Sequence, residues 1–401
     1  MIKSIVLVAD AYPPSRTSAA VQLRDLAVEF LRQGIIPTVI TSDTAGQGVS
    51  NIAELDGICV IRLKTPEHKN IGRIRRAIAE IMMPFFMIRN FRRSALKNAR
   101  WDAVVWYSPT IFLGIFIYYL KRKNACPSYL ILRDIFPAWA LDLGLIKKGL
   151  AYYFFRIFEI FQYSIADCIG VQSIGNLNYF KSWPSFAHKK IEVLQNWLSP
   201  KSLSNCSISI ASLPIANRKI FVYAGNMGIA QGMGDLIVLA EGLLLREDIG
   251  FLFIGKGSDM LALKLKAKKR GLVNTVFCNE IDADEIPGLY AQCHVGLIAL
   301  DARHKTHNVP GKFLSYLQSG LPVMAIVNNG NDLLWMIEKY RVGRVTTDRS
   351  KKNLQFHAES LIKEISLKDL EISLRCKNLA FKLFAPNVAV EQILAALKSI
   401  K

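Results

Sequence analysis

The stretch Asn308-Val-Pro-Gly-Lys312-Phe-Leu-Ser-Tyr316-Leu-Gln-Ser-Gly320-Leu-Pro322-Val-Met-Ala325 decides how the rest of the chain is read. A Pro-Gly pair opens an amphipathic helix, and Gly-x-Pro closes it straight into an apolar strand. The first turn of such a helix offers backbone N–H groups that have no intrahelical partner, with a lysine beside them. That arrangement suits an anion, most simply a phosphate, although an ordinary helix start has the same outline.

Working outward, short apolar runs alternate with helical patterns on both sides of this segment. In the first half, strands are predicted at 5–9, 37–41, 60–63, 103–106, 130–132 and 168–171, with a helix at 20–33. Residues 196–217 carry Ser, Pro and Asn with little periodicity and read as a linker. Alternation then restarts, with strands at 220–223, 251–254, 276–278, 295–299, 323–326 and 343–345 and helices at 234–245 and 260–269. The fold class is α/β: two doubly wound, Rossmann-like domains, 1–205 and 206–383, facing across a cleft. A C-terminal helix at 384–401 is expected to return to the first domain. Ligands are expected in the cleft, at the carboxyl ends of the strands.

The chain has 401 residues and a formal net charge of +19, which calls for anionic partners: nucleic acid, acidic lipid or a phosphorylated substrate. Seven cysteines stand singly, without a Cys-x-x-Cys pair, and read as reduced thiols in a cytosol. The longest apolar run, 111–120, is about half a bilayer span and stops at Lys121-Arg-Lys123, so no transmembrane helix is expected. No signal peptide is expected before the first strand, whose apolar run 5–9 is too short. Histidines and carboxylates show no metal-ligand spacing, and neither a Gly-x-Ser-x-Gly elbow nor a Walker loop is present.

Several strand ends carry candidate chemistry. Tyr223-Ala-Gly225-Asn226-Met-Gly228 and Phe253-Ile-Gly255-Lys256-Gly257 are glycine turns that would let backbone approach a ligand, or would simply be tight turns. Arg303, His304, Lys305 and Lys312 add positive charge to the same rim. In the first half, Asp10-Ala-Tyr12-Pro-Pro14-Ser-Arg16-Thr-Ser18 leaves a strand and begins a helix, with Ser18 as its expected N-cap. Arg133-Asp134 stands at another strand end, as an ion pair or as a base. Residues 71–100 hold eight Arg or Lys against Glu80. Arg89, Arg92, Arg93, Lys97 and Arg100 are expected on one helical face beside the apolar run 81–88. Basic next to apolar is the pattern of a segment lying on an anionic membrane; a buried helix pair with a solvated face is the plainer alternative. The aromatic helix 152–165 is either core or a flank of that patch.

Together these motifs resemble glycosyltransferase family 4, of GT-B fold, and most of all the O-antigen and capsule transferases that move L-fucosamine-type sugars. The resemblance rests on Tyr12-Pro-Pro14 with its small-residue loop, Arg133-Asp134-Ile-Phe-Pro137, Gly225-Asn-Met-Gly228, Gly255-Lys-Gly257 and the 310–322 helix. It implies retaining transfer from a nucleotide sugar, UDP-linked, with no required metal or other cofactor. The acceptor implied is a lipid-linked (undecaprenyl diphosphate) glycan at the inner face of a bacterial plasma membrane, with the enzyme cytoplasmic and peripheral. Donor contacts would come from Ser18, Gly225, Asn226, Gly228, Gln231, Gly255, Lys256, Arg303, Pro310, Gly311, Lys312 and Ser315. Tyr12, Arg16 and Arg133 would meet the acceptor, with Asp134 in the catalytic position; Arg89, Arg92 and Arg93 would meet lipid. Two departures stand out. The paired glutamates of many members are replaced by His307 and Ser315, and the basic residue often found before Gly232 is Gln231. The alternatives are a nucleotide-sugar epimerase of the same fold, whose cleft carboxylates and histidines are scarce here, and a non-enzymatic anion- or nucleic-acid-binding protein. Against the last, the basic residues lie among apolar ones rather than among stacking aromatics, so no nucleic-acid partner is expected.

Overall fold

The computed structural model describes the chain except residues 1, 16, 47, 68–71, 109, 143, 184–185, 187, 304–308 and 401, and except the side chains of 73, 74, 368 and 369. It forms two compact units, Met1–Trp197 with Pro386–Lys401, and Leu198–Ala385.

The first unit is built on eight strands: β1 Ser4–Ala9, β2 Ile36–Asp43, β3 Ser50–Leu55, β4 Ile58–Lys64, β5 Ala103–Ser108, β6 Ser128–Leu132, β7 Cys168–Val171 and β8 Lys190–Val193. Their order is β3-β4-β2-β1-β5-β6-β7-β8. All neighbours run parallel except β3, an antiparallel edge strand that the sequence reading did not anticipate. Its side chains are mostly exposed, so it lacks the apolar run that reveals the inner strands. The direction of winding reverses between β1 and β5.

The second unit carries β9 Lys219–Ala224, β10 Ile249–Ile254, β11 Thr275–Cys278, β12 Val295–Ala299, β13 Val323–Ile326 and β14 Gly343–Thr346. Its order, β11-β10-β9-β12-β13-β14, is wholly parallel and reverses between β9 and β12. Strands β9, β10 and β12 are apolar and almost wholly buried, because helices cover both faces of a parallel sheet.

The expected linker belongs mostly to the second unit. Lys201 pairs with Asp284 at 2.8 Å, the Ile210 N–H donates to Gln292 Oε1 at 2.9 Å, and Gln292 Nε2 returns a bond to Ile208 O at 3.0 Å. The division falls at Trp197 rather than 205 because that indole is buried in the first unit, donating to Gln22 O at 2.7 Å. The last helix, Pro386–Ser399, buries Val390, Ile393 and Leu397 in the first unit's core beside helix Ser18–Arg32. Each such side chain contributes roughly 1.5–3 kcal/mol. Residues 370–399 are long and apolar enough to cross a membrane, but half of their apolar 18-residue window is buried. Cys376, Leu379 and Phe384 fill the second unit's core and Val390 to Leu397 the first's, which accounts for its hydropathy.

Candidate donor and acceptor sites

In a doubly wound sheet, ligands sit outside the carboxyl ends of the strands where the winding reverses. In the second unit that point lies between β9 and β12, so the loops after Ala224 and Ala299 and the helix Gly311–Gln318 border it. The helix is held by Tyr316. Its ring lies so close to Gly296 of β12 that a Cβ there would stand 2.4 Å from it, and its hydroxyl bonds Val222 O at 3.1 Å and Leu297 O at 3.2 Å. Phe313, Leu314 and Leu317 are buried beside it. Pro310, in extended conformation, caps the helix, and Gly311 is exposed with open space where a Cβ would be. Of the first-turn N–H groups, that of Phe313 donates to Pro310 O at 2.9 Å, while those of Gly311 and Lys312 have no intrahelical acceptor.

One turn before Tyr316, Lys312 turns back under the β9 loop. Its Nζ donates to Tyr223 Oη at 2.9 Å and stands 4.2 Å from that ring's centroid. The Tyr223 hydroxyl in turn donates to Asn226 O at 2.6 Å. Burial of the ammonium lowers the Lys312 pKa to about 8, although the residue as a whole is only part-buried. A Cβ at Gly225, whose φ is 140°, would lie 3.6 Å from Lys312 Cε, so the glycine and the lysine form one surface. Gly228 N–H and Asn226 Nδ2 both donate to Gln231 Oε1 at 3.1 Å, which fixes the turn. Gln231 thus braces the loop where a basic residue was the family expectation.

Other expected donor residues also have partners within the fold. Gly255, at φ 145°, is demanded by backbone: an added Cβ would meet Gly225 O at 1.9 Å, because the two glycine turns lie side by side. Gly257 is constrained in the same way by Met227 O. Lys256 pairs with Glu280 at 2.8 Å, and Arg303 is forked onto Asp301 at 2.8 and 3.0 Å, holding that carboxyl below its usual range. Ser315 Oγ reaches back to Gly311 O at 3.4 Å. His304, Lys305 and His307 lie outside the described residues. Sequence reading missed Arg349, which ion-pairs with Asp235 and donates to Leu300 O at 3.0 Å and Asn328 Oδ1 at 2.6 Å. Asn328 Nδ2 then bonds Asp301 O at 2.8 Å, so this half-buried arginine ties three loops of the switch point together.

In the first unit the reversal lies between β1 and β5, with Tyr12 after β1 and Asp134 after β6. Asp134 is exposed at its strand end. Arg133 beside it points inward, donating to Leu194 O at 2.7 Å and Gln195 O at 3.3 Å, with its guanidinium 4.8 Å over the Trp197 ring. Burial lowers its pKa. It ties down the 194–197 segment rather than presenting a charge to solvent. Tyr12 is likewise buried, its hydroxyl pKa raised to about 12 by burial, and the following Pro13 carbonyl is held by Arg62. Helix Ser18–Arg32 is capped by Thr17, whose hydroxyl accepts from Ala20 N–H at 3.4 Å; Ser18 is its exposed first residue, not its cap. Arg16 lies outside the described residues.

The basic segment is shorter than expected. Helix Arg73–Phe91 stops because Phe91 plugs into Trp101 and Phe116, and Ser94 Oγ bonds Phe91 O at 2.8 Å. Arg92, Arg93 and Lys97 therefore lie in turns and Arg100 in irregular backbone, not on a continuing helical face. Arg89, Arg92 and Arg93 are exposed and, with Phe85 and Ile88, line a groove of about 440 Å³. All seven cysteines are free thiols, and no cluster of three His, Cys, Asp or Glu stands together among the described residues.

Comparison with known proteins agrees with this geometry. No family model matches the chain. WbjE of Pseudomonas aeruginosa, named as a glycosyltransferase, is 24% identical over 317 residues, 76% of each chain. WcaI of Escherichia coli, named as a colanic acid biosynthesis glycosyl transferase, is 25% identical over 226 residues, about half of each chain (50% and 52%). Among solved structures, HepE of Anabaena in complex with UDP-glucose superposes with a TM-score of 0.68 at 15% identity, over 99% of this chain and 100% of that one. By fold and by these relatives, the chain groups with the glycosyltransferases of GT-B fold. These likenesses support a glycosyltransferase of polysaccharide biosynthesis.

Proposed function

We propose that the chain is a family 4 enzyme that moves a sugar from a UDP-linked donor, with retention and without a required metal, onto a lipid-linked (undecaprenyl diphosphate) glycan during O-antigen or capsule synthesis. N-acetyl-L-fucosamine is the proposed sugar, and the inner face of a bacterial plasma membrane the proposed location. The observation that carries the reading is the open start of helix Gly311–Gln318 with Lys312 folded beneath Gly225, at the switch point of the second sheet. Helix-start dipoles and a cation there would take up charge as the bond between the sugar carbon and the diphosphate breaks. The acceptor oxygen forms the new bond on the same face, and its proton passes to a departing phosphate oxygen or to Asp134. Both curated relatives are named as glycosyltransferases, and HepE was solved in complex with UDP-glucose, which supports the donor class.

The test is a thermal-shift screen of UDP-N-acetyl-L-fucosamine, UDP-GlcNAc and GDP-sugars, followed by transfer assays with the ligand that stabilises. A saturating ligand at about 100 times its Kd adds about 2.7 kcal/mol of stability. Stabilisation by a UDP-sugar supports the reading; stabilisation by none, or release of sugar to solvent through an epimerase-type elimination, contradicts it.

A further inference from the structure

Helix Leu150–Ile165 turns an apolar stripe outward. Leu150, Tyr153 and Ile157 are 93%, 61% and 64% exposed, and Phe154 and Ile160 join them on one stripe at helical spacing. The opposite face carries the polar groups. Glu159, fully buried, pairs with Arg156 at 2.6 Å and accepts the hydroxyls of Tyr163 at 3.1 Å and Tyr179 at 2.9 Å. Gln162 Oε1 accepts from Ser108 Oγ at 2.9 Å. These bonds, together with Gly114, where a Cβ would lie 3.2 Å from Gln162 Cα, lock the helix in this orientation. It cannot roll its apolar stripe inward without breaking them. A contiguous apolar stripe held outward marks a docking face.

Charge says which kind. Between residues 144 and 165 the sequence has one carboxylate, the buried Glu159, and the exposed Lys147 and Lys148 stand just before the helix. The neighbouring helix Gly114–Asn124 touches it through Tyr118 and Phe161, whose rings are 6.1 Å apart, and exposes Tyr118 beneath Arg122. Helix Arg73–Phe91 also packs on Gly114–Asn124, exposing Met82 and Phe85 ahead of Arg89. Apolar side chains flanked by cations, with the nearby acid internal, complement acyl chains beneath anionic headgroups.

We infer that the outward stripe of helix Leu150–Ile165 inserts into the acyl region of an anionic bilayer, with Lys147 and Lys148 at its headgroups. The inference deepens the membrane-bound acceptor proposed above and rests on that reading for its purpose. It shifts the chief anchor from the arginines at 89–93 to a helix that the charge pattern alone did not single out.

The experiment is co-sedimentation of the full chain with phosphatidylcholine vesicles, with and without phosphatidylglycerol, in the absence of donor. Ile157→Asp should reduce partition roughly tenfold or more while melting like wild type and keeping its UDP-induced thermal shift, since an exposed residue is replaced. Lys147→Glu with Lys148→Glu should weaken binding to the phosphatidylglycerol vesicles and leave neutral ones little changed. An Ile157→Trp variant should gain fluorescence that acyl-brominated lipid quenches. Unchanged partition of Ile157→Asp, or no quenching at position 157, overturns the inference. So does a dimer that Ile157→Asp converts to monomer, which would make a second copy the occupant. None of these readouts uses glycosyl transfer, so loss of UDP-sugar binding would sink the transferase reading separately.

Discussion

Replacing Lys312 should separate stability from function. Its ammonium is desolvated, and the lowered pKa, about 8 against the ordinary 10.5, means that folding opposes its charge. The unfolded chain binds the extra proton between those two values. Stability contributed by this group is therefore lowest below pH 8 and rises as pH climbs toward 10.5. Two and a half pH units correspond to about 3 kcal/mol, an upper bound because the Tyr223 contact and the part-exposed stem offset it. Lys312→Met, of similar length and no charge, should raise the melting temperature of the ligand-free second unit by about 2–4 °C for each kcal/mol recovered at neutral pH. The same change removes a charge-assisted contact with the diphosphate, worth about 1.5–3 kcal/mol, so affinity for UDP should fall roughly 10- to 150-fold. Calorimetric titration of UDP and a melting curve on the same samples read both effects. In wild type, UDP affinity should weaken as pH rises through about 8, whereas the variant should show a flat profile. A variant that melts lower without ligand, or binds UDP as wild type does, would show that Lys312 is scaffold.

Arg349→Ala should lower the melting point of the second unit, costing about 3 kcal/mol, since it strands Asp235 and releases the loops at Leu300 and Asn328; chemical denaturation measures it. Gly255→Ala should prevent the second unit from folding normally, with a Cβ at 1.9 Å from Gly225 O. Gly311→Ala, with open space around it, should change stability by less than about 0.5 kcal/mol. Far-ultraviolet circular dichroism distinguishes the pair. Asp134→Asn should leave the UDP-induced thermal shift unchanged and reduce transfer about 100-fold or more; equal losses in both would place it in donor binding instead.

Most of the architecture could be read from periodicity, because strands buried on both faces announce themselves as apolar runs. The antiparallel β3 could not, since an exposed edge strand carries no such signal. Lys312 was visible because a Pro-Gly start puts the third residue of Pro310-Gly311-Lys312 at a defined place on the first turn. Its partner Tyr223 stands 89 residues away, and Arg349 meets Asp235 across 114 residues; pairings at that separation leave no local pattern. Gly255 illustrates the opposite difficulty: a glycine that spares backbone and a glycine that admits a phosphate look alike in sequence. Position alone makes Arg133 and Tyr12 expected acceptor contacts, but both are buried, Arg133 against the 194–197 segment and Tyr12 beside the Pro13 carbonyl that Arg62 holds. The 152–165 helix was recognisably apolar, yet which face met water depended on where Glu159 found its hydroxyl partners.

The location of the diphosphate is best decided by a crystal structure of the chain grown with UDP. Phosphate oxygens within about 2.7–3.2 Å of Lys312 Nζ or of the N–H groups opening helix Gly311–Gln318 would bear out the donor site. A nucleotide bound elsewhere, with that helix start still facing solvent, would contradict it.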